Sequence, residues 1–439
     1  MIRMVPSPPM GVWLIVWLSL TVTPFAGTLI ARDGDALTHA RIGRALLDGG
    51  WPTHDPILTP PVPVQLHEWG FEVLLAVSGE ALGLGGYALI AALFIATALA
   101  ITLARMLQDG RIWPVLFLSG LGFPFVLLHL HARPHVASWL GVALCTAALE
   151  QWRRKQLSDG RLWMAAGALG LAWANLHGGF VIGGLIGLAY SLDALIKAPR
   201  RLIPLAGAGG SFGLASLVNP DGIGLHQHVL SFLRDTEAQA PIADMIPLDP
   251  TSASGILPMA WIAVVGGLVV LRRRDVTIAE GALVVLWSVA TIRLVRNAPL
   301  MMLGTAPLAA RLASTALAAG VRRGQPIAME LEASCQRLEA LFQRTDGRLS
   351  VSVALVGVMG LLGTGTVSPS LPHETVPVDA LSWLNDHPEI TAQRGLTVFH
   401  WGGIVAHEVE GSRVFIHPLN AVYPIERQQA YGLIHNMLP

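Results

Sequence analysis

Charged residues are scarce in this chain. Asp, Glu, Lys and Arg account for 13% of its 439 residues, whereas hydrophobic residues account for 53%. A soluble domain carries about a quarter of its residues as charged side chains, so the composition excludes an ordinary soluble protein. Basic and acidic residues number 29 each, and this balance gives no indication of a nucleic-acid or acidic partner.

Cysteine is also scarce: Cys145 and Cys335 lie far apart, and the pair does not indicate a disulfide framework. Long apolar runs, by contrast, recur along most of the chain, and a bilayer-spanning helix needs about 20 such residues. The runs are continuous rather than alternating, which favours helices over a barrel. The sequence therefore predicts an all-α polytopic membrane protein.

About 11 transmembrane helices are predicted. Their approximate ranges are 11–30, 86–107, 112–130, 135–151, 161–175, 178–196, 202–217, 255–271, 279–293, 298–316 and 349–367. An N-terminal signal peptide is the alternative interpretation of the first range. The stretch 69–84 is short and contains two Glu residues, so it is interpreted as an interfacial helix. With that assignment the Lys and Arg clusters share one side, which predicts a cytoplasmic N-terminus and an extracytoplasmic C-terminus.

In this topology all 15 histidines fall on or beside the extracytoplasmic face. Their segregation indicates that this face holds the polar chemistry, although longer loops on that face would also explain it. Residues 1–367 are predicted to form the transmembrane domain, with large outer loops at 31–85 and 218–254. Residues 368–439 are predicted to form a small α/β extracytoplasmic domain, because "GLTVFHWGGIVAHEVEGSRVFIH" alternates like short strands.

The first outer loop opens with "RDGDALTHARIGRALLDGG", residues 32–50. Asp33 is a predicted helix N-cap. Asp35 and His39 are four residues apart and would share one helical face. Such a pair can bind a metal, activate a hydroxyl group or solvate a surface helix. Further along, Asp55 precedes Pro56 as a turn residue, and His67 and Glu68 begin the interfacial helix, where an acid also favours the helix dipole.

Arg133, Arg293 and Arg296 lie at predicted outer helix ends, against the positive-inside bias. A cation in that position needs an anionic partner, and Arg can hold a phosphate through two hydrogen bonds. Snorkelling to lipid headgroups is the alternative. Asn175 and His177 of "WANLHGGF" lie at another outer helix end.

The order of these motifs resembles the GT-C superfamily of membrane glycosyltransferases, and in particular a poorly characterised bacterial group. The resemblance is carried by "D-x-x-x-H-x-x-x-G" from Asp35, the "G-x-P-x-x-D-P" segment from Gly50 and "HEW" at 67–69. It is also carried by "ARPH" at 132–135, "WANLHGGF" at 173–180, "NPDG" at 219–222, "RLVRNAP" at 293–299 and "WGG" at 401–403. Two departures are "IADMIP" at 242–247, where the group has an acid–Trp pair, and His417 in the tail, where it has an Asp.

The resemblance implies a GT-C-like fold in the inner membrane of the bacterial cell envelope. It implies transfer of a sugar from a polyprenyl-phosphate carrier to a glycan, lipid or protein acceptor, with inversion. Asp35 and His39 would be catalytic, with Asp35 as general base. Donor phosphate would contact Arg133, Arg293, Arg296 and His177. Substrate would contact Asp55, His67, Glu68 and Asn175.

A divalent cation held by Asp35, His39 and Asp55 is the alternative to phosphate binding by the arginines. Two other functions stay open at this point. A polytopic transporter or lipid flippase is one, although no internal repeat is evident. A catalytically inactive GT-C-like scaffold subunit is the other.

Overall fold

The structure is a computed structural model. It describes residues 7–32, 34–234, 245–342, 357–358, 360–361, 369–391, 394–419 and 425–435. The predicted cap Asp33, most of the eleventh predicted span (349–367) and residues 242–244 lie outside the described residues.

Helices account for most of the described chain. The first loop and the helices around it are α1 (Pro8–Val22), α2 (Phe25–Ala31), α3 (Asp35–Gly49), α4 (Trp69–Leu82) and α5 (Leu84–Asp109). The central helices are α6 (Ile112–Leu127), α7 (His135–Arg153), α8 (Asp159–Leu176), α9 (Val181–Lys197), α10 (Leu202–Ser216) and α11 (Ile223–Arg234). These are followed by α12 (Ala253–Leu271), α13 (Ile278–Arg293), α14 (Ala298–Arg322) and α15 (Pro326–Phe342).

Four stretches in the described part of the chain are long and apolar enough to cross a membrane. They are Leu84–Asp109, Gly178–Lys197, Ser254–Leu271 and Val295–Arg322. A fifth is possible if α1 and α2, which meet at 74°, count as one broken span. The structure thus supports a membrane-embedded helical protein, and the number eleven stays a prediction. Helices form at the other predicted spans within the described ranges, but they are shorter or more polar.

Local sequence explains where several helices begin and bend. Thr277 and Glu280 form a reciprocal capping box at the start of α13. The bend between α1 and α2 falls at Pro24, which cannot donate a helical backbone hydrogen bond. Gly83 has a φ of 59° between α4 and α5, a conformation that glycine adopts without strain.

One large apolar core joins the helices, and Trp17, Trp139, Trp173 and Trp261 are fully buried in it. Small residues allow helices to approach closely. A Cβ added at Gly170 of α8 would lie 2.3 Å from the Phe212 carbonyl oxygen of α10. Close backbone approach at small residues is how helices associate in a bilayer, where lipid tails remove the hydrophobic drive.

Two polar clusters lie at opposite ends of the helix bundle. One contains histidines and Arg133 near the start of α7, and is described below. The other surrounds a small cavity at the far end of α7. It includes Arg105, Asp109, Glu150, Arg154, Glu280 and Arg311. Because α7 has 19 residues, its ends are about 28 Å apart at 1.5 Å per residue. This segregation agrees with the two-faced charge pattern of the sequence.

The described tail consists mainly of helices. They are α16 (Val378–Asn385), α17 (Pro388–Thr391), α18 (Gly402–Glu408) and α19 (Ile425–His435). Strands β1 (Arg394–Gly395) and β2 (Arg413–Val414) form a parallel pair of two residues each. The strand prediction was therefore wrong for the "WGG" segment, which is helical. Gly403 packs against α3 and Gly402 against the Ile416 carbonyl, and these tertiary contacts outweigh the alternating pattern.

Candidate functional site

The site begins where α3 starts. Gly34, with a φ of 75°, precedes the helix and lies against the tail, since an added Cβ would be 2.2 Å from the His400 carbonyl oxygen. Asp35 is the first residue of α3, where an acid is favoured by the helix dipole. His39 follows one turn later, and both side chains are buried, with 5% and 2% of their surface exposed. The predicted shared face is present.

Arg133 forms an ion pair with Asp35. It lies in the short connection between α6 and α7, and this connection is fixed to α2 because the Ala132 N–H donates to the Leu29 carbonyl at 3.1 Å. The structure therefore places the predicted catalytic acid and a predicted phosphate ligand in direct contact. A guanidinium held by one carboxylate still has other N–H groups to offer an incoming phosphate.

Glu68 lies among three histidines. The Nε2 atoms of His177, His39 and His67 are 3.3, 3.6 and 3.7 Å from its carboxylate oxygens. These residues come from the first loop, from α3 and from the connection between α8 and α9. Glu72, one turn further along α4, accepts or donates a 3.0 Å hydrogen bond at His39 Nδ1.

Neighbouring groups fix the protonation of His177. Its Nδ1 accepts a 3.0 Å hydrogen bond from the Gly179 N–H. Ser138 Oγ lies 2.7 Å from the same nitrogen and itself accepts from Trp173 Nε1, so the Ser138 hydroxyl donates to His177. A neutral His177 consequently carries its proton on Nε2, the nitrogen that lies 3.3 Å from Glu68.

Burial alters the proton affinity of both glutamates, which precede or lie in α4, outside the candidate spans. Burial raises the pKa of Glu68 to about 7, against the opposing charge of His39. Burial likewise raises the pKa of Glu72 to about 8. Two carboxyl groups that titrate near neutral pH beside an Asp–Arg pair are typical of acid–base sites.

Arg296 and Arg293, predicted together as phosphate ligands, are separated by the structure. Arg296 is half-buried between α13 and α14, and its charge acts on both Glu68 and His177. Arg293 is exposed at the end of α13 and forms no ion pair among the described residues. The local backbone explains the difference in exposure. Helix α13 ends at Arg293, and Arg296 lies in a 3₁₀ turn, Val295–Asn297, that redirects the chain.

Asp55 belongs to a neighbouring structural cluster. Its Oδ1 accepts from the Ile57 and Leu58 N–H groups at 2.8 and 3.0 Å, and its Oδ2 lies 3.0 Å from Nε2 of fully buried His417. Burial alone would raise the pKa of Asp55, but the hydrogen bond and charge of His417 lower it overall. One oxygen is thus engaged within the first loop and the other joins that loop to the tail, and the structure does not place Asp55 among the residues around Glu68.

Asn175 joins two of the helices that position the site. Its Oδ1 accepts from Trp69 Nε1 at 2.9 Å, and its Nδ2 donates to the carbonyls of Leu171 and Val218 at 2.7 and 2.9 Å. The amide thus fixes the start of α4, and with it Glu68, to the end of α8. The hydrogen bond between Trp69 and Asn175 gives the Trp of "HEW" and the Asn of "WANLHGGF" a structural role.

The candidate metal ligands do not form a common centre. Asp35 contacts Arg133, His39 lies between two glutamates, and Asp55 contacts His417. Within the described ranges no group of three or more His, Cys, Asp or Glu side chains could hold a metal ion. The side-chain oxygen and nitrogen atoms of Asp35, His39 and Asp55 therefore do not fit a cation bound by these three residues.

Sequence reasoning missed Glu72 and Ser138. A signal for Glu72 was present, because it is an acid on an otherwise apolar helix, four residues after Glu68. Ser138 gave no such signal, since a single serine in an apolar helix is common and its role depends on Trp173 and His177 from other elements.

The fold defined by these elements is similar to that of solved oligosaccharyltransferases. The similarity is to an apo crystal structure of the oligosaccharyltransferase of Archaeoglobus fulgidus. The TM-score is 0.56 and the identity 13%, over 94% of this chain and 65% of that one. A structure of AglB from Archaeoglobus fulgidus, in complex with an inhibitory peptide and a dolichol-phosphate, matches with a TM-score of 0.50 and the same identity and coverage.

At 13% identity this likeness concerns the fold alone. This chain spans 65% of the length of either neighbour. The amino-acid sequence itself matches no family model and no curated protein.

Proposed function

We propose that this protein is a membrane glycosyltransferase. It transfers a sugar from a polyprenyl-phosphate carrier to an acceptor hydroxyl on a glycan, lipid or protein, at the extracytoplasmic face of a bacterial inner membrane. The observation that carries the proposal is the convergence of Asp35, Arg133, Glu68 and His177 at one end of a GT-C-type bundle.

Arg133 and Arg296 are the proposed ligands of the donor phosphate. Both act electrostatically on Glu68, so both lie near the same point from different helix ends. When the bond between sugar and phosphate breaks, negative charge builds up on the phosphate. Positive groups already fixed around that position stabilise the transition state more than the ground state.

A carboxylate of the same cluster would accept the proton of the acceptor hydroxyl, and Asp35 is the candidate predicted from the sequence. Attack from the side opposite the phosphate inverts the anomeric centre. His39 and His177 are within the cluster and can orient the carboxylates and the hydroxyl groups of the sugar by hydrogen bonds.

An apolar groove supports a lipid-linked donor. It has a volume of about 610 Å³ and lies between α7, α8, α9, α10 and α11. Small residues line much of it, among them Ala166, Gly183, Gly184, Gly187, Ala208 and Gly209. Because these side chains are small, the facing helices leave room for an isoprenoid chain, which is apolar and needs no hydrogen bonds from its surroundings.

The test uses purified protein in vesicles with radiolabelled polyprenyl-phosphate hexoses and alkyl glycosides as hydroxyl acceptors. Asp35→Asn should strongly reduce transfer while the protein still inserts into the membrane. Arg133→Ala should raise the donor concentration needed for half-maximal rate. Lipid translocation without any transfer would instead indicate a flippase. Donor binding without transfer or translocation would indicate a scaffold.

A further inference from the structure

We propose that Glu68 is the general base of the transfer reaction, and that His39, Glu72 and His177 are residues that position it. This inference rests on the proposed function and assigns to Glu68 the step that the sequence suggested for Asp35.

The first support is the direction of the hydrogen bonds. Because two donors occupy His177 Nδ1, the proton of neutral His177 is on Nε2, which lies 3.3 Å from Glu68 Oε1. An imidazole fixed in this tautomer cannot take a proton from Glu68 on its Nε2. Of this neighbouring pair, Glu68 is therefore the group that keeps an arriving proton.

The second support comes from the opposite side of Glu68. Glu72 is 3% exposed, and its Oε2 has no hydrogen-bond partner among the described residues. A charged carboxylate would be costly there, whereas a protonated one is tolerated. Protonated Glu72 donates from Oε1 to His39 Nδ1, which sets the His39 proton on Nε2, 3.6 Å from Glu68.

The two glutamates thus have different roles. Glu72 keeps its proton and fixes His39, while Glu68 is ionised beside the Nε2 atoms of His39 and His177, at 3.6 and 3.3 Å. The pKa of about 8 for Glu72 and of about 7 for Glu68 follows the same order. Neighbouring carboxyl groups whose proton affinities are separated by their surroundings are a recurring acid–base arrangement.

Asp35 is less suited to accept a proton. Its carboxylate is engaged by the Arg133 guanidinium, and a positive partner favours the ionised form of a carboxyl group. The contact assigns Asp35 to the orientation of Arg133, the proposed ligand of the donor phosphate.

The reaction balances with these groups alone. The acceptor oxygen forms a bond to the anomeric carbon of the sugar, and its proton moves to Glu68. The bond between that carbon and the phosphate oxygen breaks, and its electron pair stays on the phosphate beside Arg133 and Arg296. Release of the proton from Glu68 to water restores the starting state.

The charged and titratable groups facing Glu68 come from every surrounding element. They are His39 of α3, Glu72 of α4, His67 beside it, His177 after α8, Arg133 before α7 and Arg296 before α14. Burial raises the pKa of Glu68 to about 7 against the pull of His39 and the arginines. Because the ionised form is the base, the rate should rise with pH up to about 7 and then level off.

The pH dependence of single-turnover transfer by the wild-type protein is the first measurement. An acid limb near pH 7, with about a tenfold fall in rate per pH unit below it, supports Glu68. An acid limb at or below about pH 4 would match an ordinary or Arg-paired Asp instead and would overturn the assignment.

Variants give an independent result. Glu68→Gln should reduce the rate by about 100-fold or more and remove the acid limb. Asp35→Asn should reduce the rate but keep the limb in whatever activity remains. Glu80→Gln is the matched control, because Glu80 is on the same helix, exposed, and paired with Arg44. A Glu68→Gln variant with the wild-type rate and profile would refute the inference.

Infrared titration of the carboxyl groups needs no substrate, and it separates the inference from the proposed function. Wild-type protein should show a carboxyl band that titrates near pH 7 and is lost in Glu68→Gln. No transfer by any variant, with this band present, would defeat the proposed function but not the proton affinity of Glu68. Transfer without such a band would defeat the inference alone.

Discussion

The buried pair of Asp55 and His417 should determine whether the tail stays attached to the first loop. Both side chains are fully buried, and the two residues are 362 positions apart in the sequence. Beside them, the Val414 N–H donates to the Ile57 carbonyl at 3.0 Å and the Thr59 N–H donates to the Val414 carbonyl at 2.9 Å. Loss of the imidazole would leave a buried carboxylate without its main partner.

Breaking a buried ion pair by removing one partner costs about 3–5 kcal/mol. His417→Ala should therefore lower the melting temperature of the detergent-solubilised protein by several degrees. His373→Ala is the matched control, because His373 is exposed in the described part of the tail. An unchanged melting temperature for His417→Ala would refute the proposal that this pair holds the tail to the first loop.

The pH dependence of stability has a definite sign here. Because the overall pKa of Asp55 is lowered in the folded state, its contribution is fully present above the unfolded value of about 4. It is lost as the pH falls through the folded value. The melting temperature of wild type should fall below about pH 4, and His417→Ala should show less of this fall.

Two further predictions concern the tail contact and the arginines. A Cβ at Gly403 would lie 1.9 Å from Thr38 Oγ1, so Gly403→Ala should destabilise the protein by about 1–3 kcal/mol and slow transfer by moving α3. Gly432 has open space around it, so Gly432→Ala should change neither the melting temperature nor the turnover rate. Equal melting temperatures and turnover rates for the two variants would contradict the contact between Gly403 and α3. Arg296→Ala should weaken binding of the polyprenyl-phosphate hexose by about tenfold or more, because a hydrogen bond to a charged group contributes roughly 1.5–3 kcal/mol. The Arg293→Ala variant should bind the same donor with wild-type affinity. A larger loss of affinity in Arg293→Ala than in Arg296→Ala would contradict the proposed phosphate site.

Periodicity and composition were sufficient to predict the helical membrane class and many helix positions. The shared face of Asp35 and His39 followed directly from their spacing of four residues. The place of Arg133 near these residues followed from its position at a helix end. Such predictions succeed because they depend on local geometry that a short stretch of sequence contains.

The assignments that sequence could not provide depend on contacts between distant segments. Asp55 had the appearance of a loop acid available to substrate, and its buried partner His417 lies near the other end of the chain. The "WGG" segment alternated like a strand, but Gly403 fits against Gly34 and Thr38 at the start of α3. Arg293 and Arg296 were equivalent by sequence, and a 3₁₀ turn separates them.

The most direct measurement of the central claim is a structure of the protein with a bound polyprenyl phosphate. The phosphate should lie within hydrogen-bonding distance of Arg133 and Arg296, with the isoprenoid chain in the groove between α8, α9 and α10. A phosphate bound instead at the opposite end of α7, beside Arg105 and Arg154, would contradict the proposed site and the transfer reaction assigned to it.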